Sequence, residues 1–245
     1  MHLRSAAFKG SGDVFTMSWT RDGIPNDIFK QALSHRLFMP ILSAEPTAVF
    51  GCACGAVGLN TLTCSMHAGA CRIARGHAIE RHDRVVDAVA AFVQEIDPQA
   101  IITRPAQPQE NPNPDVPRNV VEDLTITSRG SIQRFDVGIT HAVLSNNTPT
   151  AGHIQHYNPD TSCLQYEIEK RNKYRHAQID VTPLILLSTG KIGPSFRACI
   201  EQWTTGVEKS IGTSAIKRLQ KRITRCCAIF DGKARMRIAK SIIQL

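Results

Sequence analysis

The chain has 245 residues, of which 42% are hydrophobic, enough for one sizeable core or for one core with a small satellite. It has no run of about 18 apolar residues that would predict a membrane span, and no apolar signal region follows the first residues, so we expect no secretion. The net charge of +8 is concentrated in the last quarter, where 12 Lys and Arg face three acids from Lys191 onward. This segment suits a polyanion, most simply nucleic acid, although a solvated helix surface is the alternative.

The first third of the chain predicts two helices on either side of a cysteine-rich segment. Asn26 to Leu37 has a capping residue and an apolar stripe. The cysteine-rich segment follows at Gly51 to Arg75. Ala78 to Ile96 predicts a strongly amphipathic helix, whose apolar face contains Ile79, Val85, Val86, Val89, Phe92, Val93 and Ile96.

The middle of the chain predicts three strands. Ala100 to Thr103 is a short apolar run, and the proline-rich stretch Pro105 to Pro117 that follows predicts a surface loop. Asn119 to Thr127 and Gln133 to Thr140 are strand-like runs that flank Ser128-Arg129-Gly130, which predicts a hairpin.

After the hairpin, a polar loop (Ser145 to Asp160) precedes a helix at Thr161 to Ala177, with Leu164 and Ile168 on one face, and a buried strand at Val181 to Leu187. The remainder is predicted to be helical and basic, with breaks at Gly190, Gly193, Gly206, Gly212 and Gly232. The order α-β-β-β-α-β predicts an α/β fold.

Two carboxylates interrupt the predicted hairpin, Asp123 in its first strand and Asp136 in its second. Partner strands place opposite residues about 5 Å apart, so two acids there could share one metal. Burying two like charges without a cation would be costly. Mg²⁺ or Mn²⁺ prefers carboxylate oxygens and activates water for phosphodiester hydrolysis. The alternative is that one or both acids face solvent at a strand end.

The helix after the hairpin carries Lys170, Lys173 and Tyr174 within one turn, which could present a cation and a phenol to the acids. Local pairing with Glu167 and Glu169 on a charged helix face is the alternative.

Four of the eight cysteines lie close together, at Cys52, Cys54, Cys64 and Cys71. A Cys-x-Cys pair is a poor disulfide framework, so metal binding or free thiols are favoured. Cys52, Cys54, Cys64 and His67 predict a compact tetrahedral zinc site. The fourth ligand is His67 in this prediction, and Cys71 is the alternative for that position. A reduced knuckle without metal is the alternative.

The order of these residues resembles the restriction-like endonuclease domain, of the PD-(D/E)XK type, in proteins of site-specific non-LTR retrotransposons, which also carry a reverse transcriptase. The resemblance covers roughly residues 27–190. Its motifs are the Cys/His knuckle, Arg81-His82-Asp83, Glu122-Asp123, Asp136 thirteen residues later, and Lys170 to Tyr174. The family has a proline before its first acid, where this chain has Val121-Glu122. Many bacterial relatives have a strand lysine two residues after the second acid, where this chain has Gly138.

The resemblance implies an αβββαβ restriction-endonuclease-like core with an N-terminal zinc knuckle and C-terminal basic helices. It implies a DNA endonuclease that nicks target DNA in the nucleus and so primes reverse transcription. Asp123 and Asp136 would hold Mg²⁺ or Mn²⁺, while Lys170 or Lys173, with Tyr174, would act at the phosphate. Glu80 or Asp83 could add a carboxylate. DNA, and the element's own RNA as a second partner, would contact Arg81, His82, Lys217, Arg218, Lys221 and Arg222.

The predicted organisation has four parts: a helical segment (1–50), the zinc knuckle (51–76), the endonuclease-like core (77–190) and a basic helical tail (191–245). No polymerase motif occurs, so we expect a C-terminal remnant or fragment of a longer protein. Two other functions stay open, a catalytically inactive nuclease fold that only binds nucleic acid and a zinc-stabilised protein-interaction domain.

Overall fold

The computed structural model describes residues 24–36, 48–59, 64, 67–69, 71–105, 121–140 and 159–244. Its helices are α1 (Asn26–Arg36), α2 (Arg75–Ile96), α3 (Pro159–His176), α4 (Pro194–Thr204) and α5 (Lys209–Ala239). Its strands are β1 (Phe50–Cys52), β2 (Ile101–Thr103), β3 (Leu124–Ser128), β4 (Ser131–Thr140), β5 (Thr182–Leu187) and β6 (Ile242–Gln244). Most of the predicted proline-rich loop and of the polar loop before α3 lies outside the described residues.

Four strands form a mixed sheet in the order β2-β3-β4-β5. The first three are antiparallel neighbours, whereas β4 and β5 run parallel. A parallel pair needs a crossover connection, and α3 supplies it between β4 and β5. The predicted order α-β-β-β-α-β is therefore confirmed from α2 to β5, and the chain has a mixed α/β fold.

The predicted hairpin joins β3 and β4 through a two-residue turn. Arg129 and Gly130 have φ angles of 49° and 75°. Positive φ at both central positions matches the twist of antiparallel strands, which is why such turns favour glycine. β3 begins at Leu124, later than the predicted Asn119, so Asp123 lies just before the strand rather than within it.

Helices cover both faces of the sheet, and the side chains of β5 show this by alternation. Leu184 and Leu186 pack into the main core with the buried face of α2 and with α4 and α5. Ile185 and Leu187 point to the opposite face, where they pack with Cys163 of α3. A strand buried on both faces has a continuous apolar sequence, as this one does.

Two details of helix orientation differ from the predictions. On α2 the predicted apolar face is buried except at Ile79, whose exposed fraction is 52%. On α3, Leu164 and Ile168 are exposed by 45% and 58%. The stripe of α3 that faces the sheet instead contains Cys163, Tyr166, Lys170 and Tyr174, whose spacing of three or four residues places them on one side of a helix.

The predicted basic tail shares the core of the rest of the chain. Helix α5 contributes Ala215, Leu219, Ile223 and Cys227 to the main core, and β6 pairs with β1. The predicted breaks at Gly212 and Gly232 are wrong, because both glycines lie inside α5. Gly232 has a packing role, since a Cβ there would collide with the carbonyl oxygen of Ile28 in α1.

Candidate functional site

The two predicted acids lie at the same end of the β3–β4 ladder. Leu124 of β3 pairs with Phe135 of β4. Asp123 and Asp136 are the next residues beyond this pair, so they adjoin each other across the ladder. The backbone N–H of Asp123 donates to the carbonyl oxygen of Phe135 at 2.9 Å, which continues the pairing past the end of β3. The same end of the sheet faces α3 and the first half of α2.

Asp136 is buried, with 3% of its surface exposed, and two side chains of α3 contact its carboxylate. The Lys170 ammonium lies 2.6 Å from Oδ2. The Tyr174 hydroxyl lies 2.9 Å from Oδ1 and 2.7 Å from the carbonyl oxygen of Val121, and its single hydrogen can be donated to either oxygen. Lys170 and Tyr174 are four residues apart and therefore lie one above the other on one face of α3.

The negative charge of Asp136 keeps both Lys170 and Tyr174 in their protonated forms. Burial alone would lower the pKa of Lys170, but the attraction of the Asp136 carboxylate outweighs it and the pKa is raised. Burial and the negative charge of Asp136 both raise the pKa of Tyr174. The lysine therefore stays charged and the phenol stays protonated, so both remain donors to Asp136.

Asp123 is held by the backbone of the neighbouring strand and by α2. Its Oδ2 accepts the backbone N–H of Val137 at 2.7 Å and lies 3.1 Å from Nε2 of His82. Burial lowers the pKa of His82, but the hydrogen bond and charge of Asp123, together with those of Asp83, raise it to about 8. His82 is therefore a positive neighbour of Asp123 at neutral pH, with its Nδ1 3.2 Å from Asp83.

Several other predicted residues lie elsewhere. Arg81, predicted to contact nucleic acid, is buried and forms an ion pair with Asp231 of α5, so little of its side chain lies at the surface. Lys173 is exposed and lies 5.2 Å from the centre of the Tyr174 ring. Arg218 forms an ion pair with Glu95, its Nε 2.9 Å from Oε1, and Lys217 and Arg222 are exposed along the same helix.

A second cluster consists of Cys52, Cys54, His67 and Cys71, whose ligand atoms all lie within 4.8 Å of one another. The Cys54 sulfur is 3.3 Å from Nε2 of His67, and the sulfurs of Cys52 and Cys71 are 3.9 Å apart. Three thiols and one imidazole are a ligand set that zinc accepts in tetrahedral geometry. The predicted Cys/His metal site is therefore present as a group that could hold a metal such as zinc.

The membership of this cluster differs from the prediction at one place. Cys71 occupies the position for which Cys64 was predicted, and Cys64 is buried outside the group. Cys71 directly precedes a short 3₁₀ turn at Arg72–Ala74 that leads into α2, and its sulfur lies beside that of Cys52. In the sequence, Cys71 is one of the four clustered cysteines and the alternative to His67 for completing the ligand set.

Local backbone structure shapes the first half of the cluster. Cys52 ends β1, and its N–H donates to the carbonyl oxygen of Ala56 at 2.8 Å across a tight turn. Gly55 within this turn has a φ of +96°, a conformation that a Cβ disfavours. Burial raises the pKa of Cys52 to about 11, whereas the backbone N–H of Ala56 lowers the pKa of Cys54.

Within the described ranges, the Cys/His cluster is the one group of three or more His, Cys, Asp or Glu side chains with ligand atoms this close together. Asp123 and Asp136 do not form such a group with a third ligand from the residues that the structure describes. No family model, curated protein or solved structure matches the chain. None of the helices in the described part of the chain has both the length and the apolar character needed to cross a bilayer.

Proposed function

We propose that the chain contains a metal-dependent DNA endonuclease domain that hydrolyses phosphodiester bonds at Asp123 and Asp136. The observation that carries the proposal is the convergence of Lys170 and Tyr174 on the buried carboxylate of Asp136. Asp123 adjoins it across the ladder and is fixed by the Val137 N–H. Two carboxylates can hold a hard divalent cation, and a lysine beside them can stabilise charge on a phosphate.

The proposed metal is Mg²⁺ or Mn²⁺, in a site that substrate would complete. Magnesium is commonly bound by one or two protein carboxylates together with water and phosphate oxygens, so two acids without a third protein ligand are sufficient. When bound, the metal would activate a water and neutralise charge on the phosphate. Asp123 and Asp136 would supply ligand oxygens, while Tyr174, whose hydroxyl contacts Asp136, would orient that carboxylate.

Lys170 is the preferred lysine because of the room beside β4. A Cβ at Gly138, two residues after Asp136, would lie 2.7 Å from Cε1 of Tyr166, so a strand lysine there would displace that ring. Lys170 extends from the next turn of α3 and reaches Asp136 past the same ring, with its Nζ 5.5 Å from the ring centre. We therefore assign to Lys170 the stabilisation of negative charge on the scissile phosphate.

The resemblance to retrotransposon nucleases extends the proposal to a biological role. Nicking of target DNA would release a 3′-hydroxyl that primes reverse transcription, with DNA and the RNA of the element as partners in the nucleus. The exposed cations of α5, among them Lys217 and Arg222, would contact phosphates outside the cleavage site.

A second candidate is a nucleic-acid-binding module without nuclease activity. The observation that favours it is that both acids already have protein cations as partners, Lys170 for Asp136 and His82 for Asp123. Such pairing can stabilise the carboxylates in the absence of a metal.

Plasmid nicking in Mg²⁺ or Mn²⁺ separates these candidates. We expect the wild type to convert supercoiled DNA to open circles, and Asp136→Asn to lose this activity while retaining DNA binding. Lys170→Met should reduce nicking by about 100-fold or more, the scale for removing one preorganised charge-stabilising donor. Lys173→Met is the matched control and should nick normally, because its ammonium is exposed beside Tyr174. Binding without nicking by the wild type would favour the second candidate.

A further inference from the structure

A surface groove lies between the end of α5 and the beginning of α2, away from the two acids. Its volume is about 560 Å³. Its walls include His77, Ile73, Lys233, Met236, Arg237 and Lys240. None of the described residues that line it is acidic. We infer that this groove, hereafter the basic groove, binds a single strand of nucleic acid, a role that rests on the proposed function only in that both ligands are nucleic acids.

The cations of the basic groove form a row. Lys233 and Arg237 of α5 and Lys240, which directly follows the helix in helical backbone conformation, are separated by four and three residues and therefore lie on one face. From first to last they span roughly 10 Å along the helix axis, which is the axial rise of roughly three nucleotides in one strand. Arg237 and Lys240 are exposed and Lys233 is half-buried, so the row can reach phosphates from solvent.

The pKa of His77 reflects the positive charges of Lys233 and Arg237 close to its ring. Burial lowers the pKa of its imidazole, and the positive charges of Lys233 and Arg237 lower it further, against an opposing contribution from Glu80. His77 is therefore an uncharged ring beside two cations. A neutral ring of this kind offers a face on which a base can stack.

The floor of the groove favours a single strand over a duplex. Ile73 and Met236 are half-buried apolar side chains that line the groove together with the cations, and we refer to them as its floor. An unpaired base exposes an apolar face that can cover such side chains, whereas a duplex keeps its base faces stacked inside. A groove of this size with an apolar floor and basic walls therefore fits one or a few unstacked nucleotides.

The groove is linked to the Cys/His cluster and separate from the acids. Ile73 packs in the same small core as Cys52 and Cys71, so the cluster supports the floor. His77 and His82 lie five residues apart on α2, which places them about 140° apart around the helix. The basic groove and the carboxylates therefore open on different sides of α2 and can be altered separately.

Fluorescence anisotropy with labelled single-stranded RNA and DNA tests this inference. The variant replaces Lys233, Arg237 and Lys240 by glutamine. Its matched control replaces Arg129, Arg175 and Lys209, three exposed cations outside the groove lining, in the same way. We expect the groove variant to raise the dissociation constant at least tenfold and to lower the slope of log K against log salt by about 2, since each single-strand phosphate contact contributes about 0.7. The control should change the dissociation constant by less than about threefold.

Met236→Ala tests the floor independently of charge. It should weaken single-strand binding severalfold and leave the salt slope unchanged, because it removes a base contact and no cation. Circular dichroism melting checks that every variant is folded. Equal losses in the groove variant and its control, or losses confined to duplex DNA or to phosphatidylserine vesicles, would overturn the inference.

Asp136→Asn separates this inference from the proposed nuclease. It should bind single strands as the wild type does. A wild-type chain that binds strands through the groove and never nicks DNA retains the inference and loses the nuclease proposal. If the wild type nicks DNA and the groove variant binds single strands normally, the nuclease proposal is retained and the inference about the basic groove is lost.

Discussion

The ammonium of Lys170 lies 2.6 Å from the buried carboxylate of Asp136, and this ion pair joins α3 to the central strand β4. The side chains of the pair are 18% and 5% exposed, so each charge depends on the other for compensation. Removing one partner leaves a buried charge, which costs more than the pair itself contributes.

Lys170→Met should therefore lower the free energy of unfolding by about 3 kcal/mol in urea denaturation without metal. Lys173→Met should change it by less than about 0.5 kcal/mol. The double variant Asp136→Asn/Lys170→Met should lose at least about 1 kcal/mol less free energy of unfolding than the two single variants lose together, because the two residues are coupled. Additive single effects would contradict the ion pair.

The Cys/His cluster predicts which cysteine controls zinc content. Elemental analysis of the purified wild type should find about one zinc per chain. Cys71→Ser should lose this zinc and Cys64→Ser should keep it, because Cys71 and not Cys64 lies in the cluster. Zinc retained by Cys71→Ser and lost by Cys64→Ser would reverse the assignment.

The contact between His82 and Asp123 predicts a pH dependence in metal-free buffer. The pKa of His82 is raised from 6.5 to about 8 in the folded chain. A raised pKa stabilises the fold fully below pH 6.5, and this contribution is lost as the pH rises through about 8. We expect a loss on the order of 1 kcal/mol over this interval, and a much smaller loss in Asp123→Asn.

Proton NMR titration of the His82 ring checks the same relationship directly. The wild type should titrate near pH 8. In Asp123→Asn the pKa should fall well below the wild-type value, since burial then acts with only Asp83 opposing it. A titration that is the same in both proteins would exclude Asp123 as the cause of the shift.

Two glycines of α5 should respond to alanine in opposite directions. A Cβ at Gly232 meets the backbone of Ile28, so Gly232→Ala should destabilise the fold by about 2 kcal/mol or more, as overpacking does. At Gly212 the nearest atom is Thr204 Cβ at 3.7 Å, an ordinary contact. Gly212→Ala should therefore raise the free energy of unfolding by about 0.5–1 kcal/mol through helix propensity. Chemical denaturation of both variants measures the contrast, and destabilisation by both would remove the special role of Gly232.

The sequence by itself determined the order of elements from α2 to β5, the hairpin at Arg129-Gly130 and one acid on each side of that hairpin, although Asp123 lies just before β3 and not within it. These features depend on short-range chemistry, namely the period of apolar residues and the φ angles that a two-residue turn requires. The same signals do not identify the buried face of α3, because Leu164 and Ile168, which share the predicted face, are exposed.

Only the tertiary structure decided which of several similar residues reaches each site. Lys170 and Lys173 are close in sequence, but packing of α3 on the sheet turns the first toward Asp136 and the second toward solvent. Cys71 and not Cys64 lies in the cluster, where the segment before α2 meets the end of β1 at Cys52. Arg81 is buried against Asp231, a residue 150 positions away. Such choices depend on contacts between distant segments, which local periodicity does not encode.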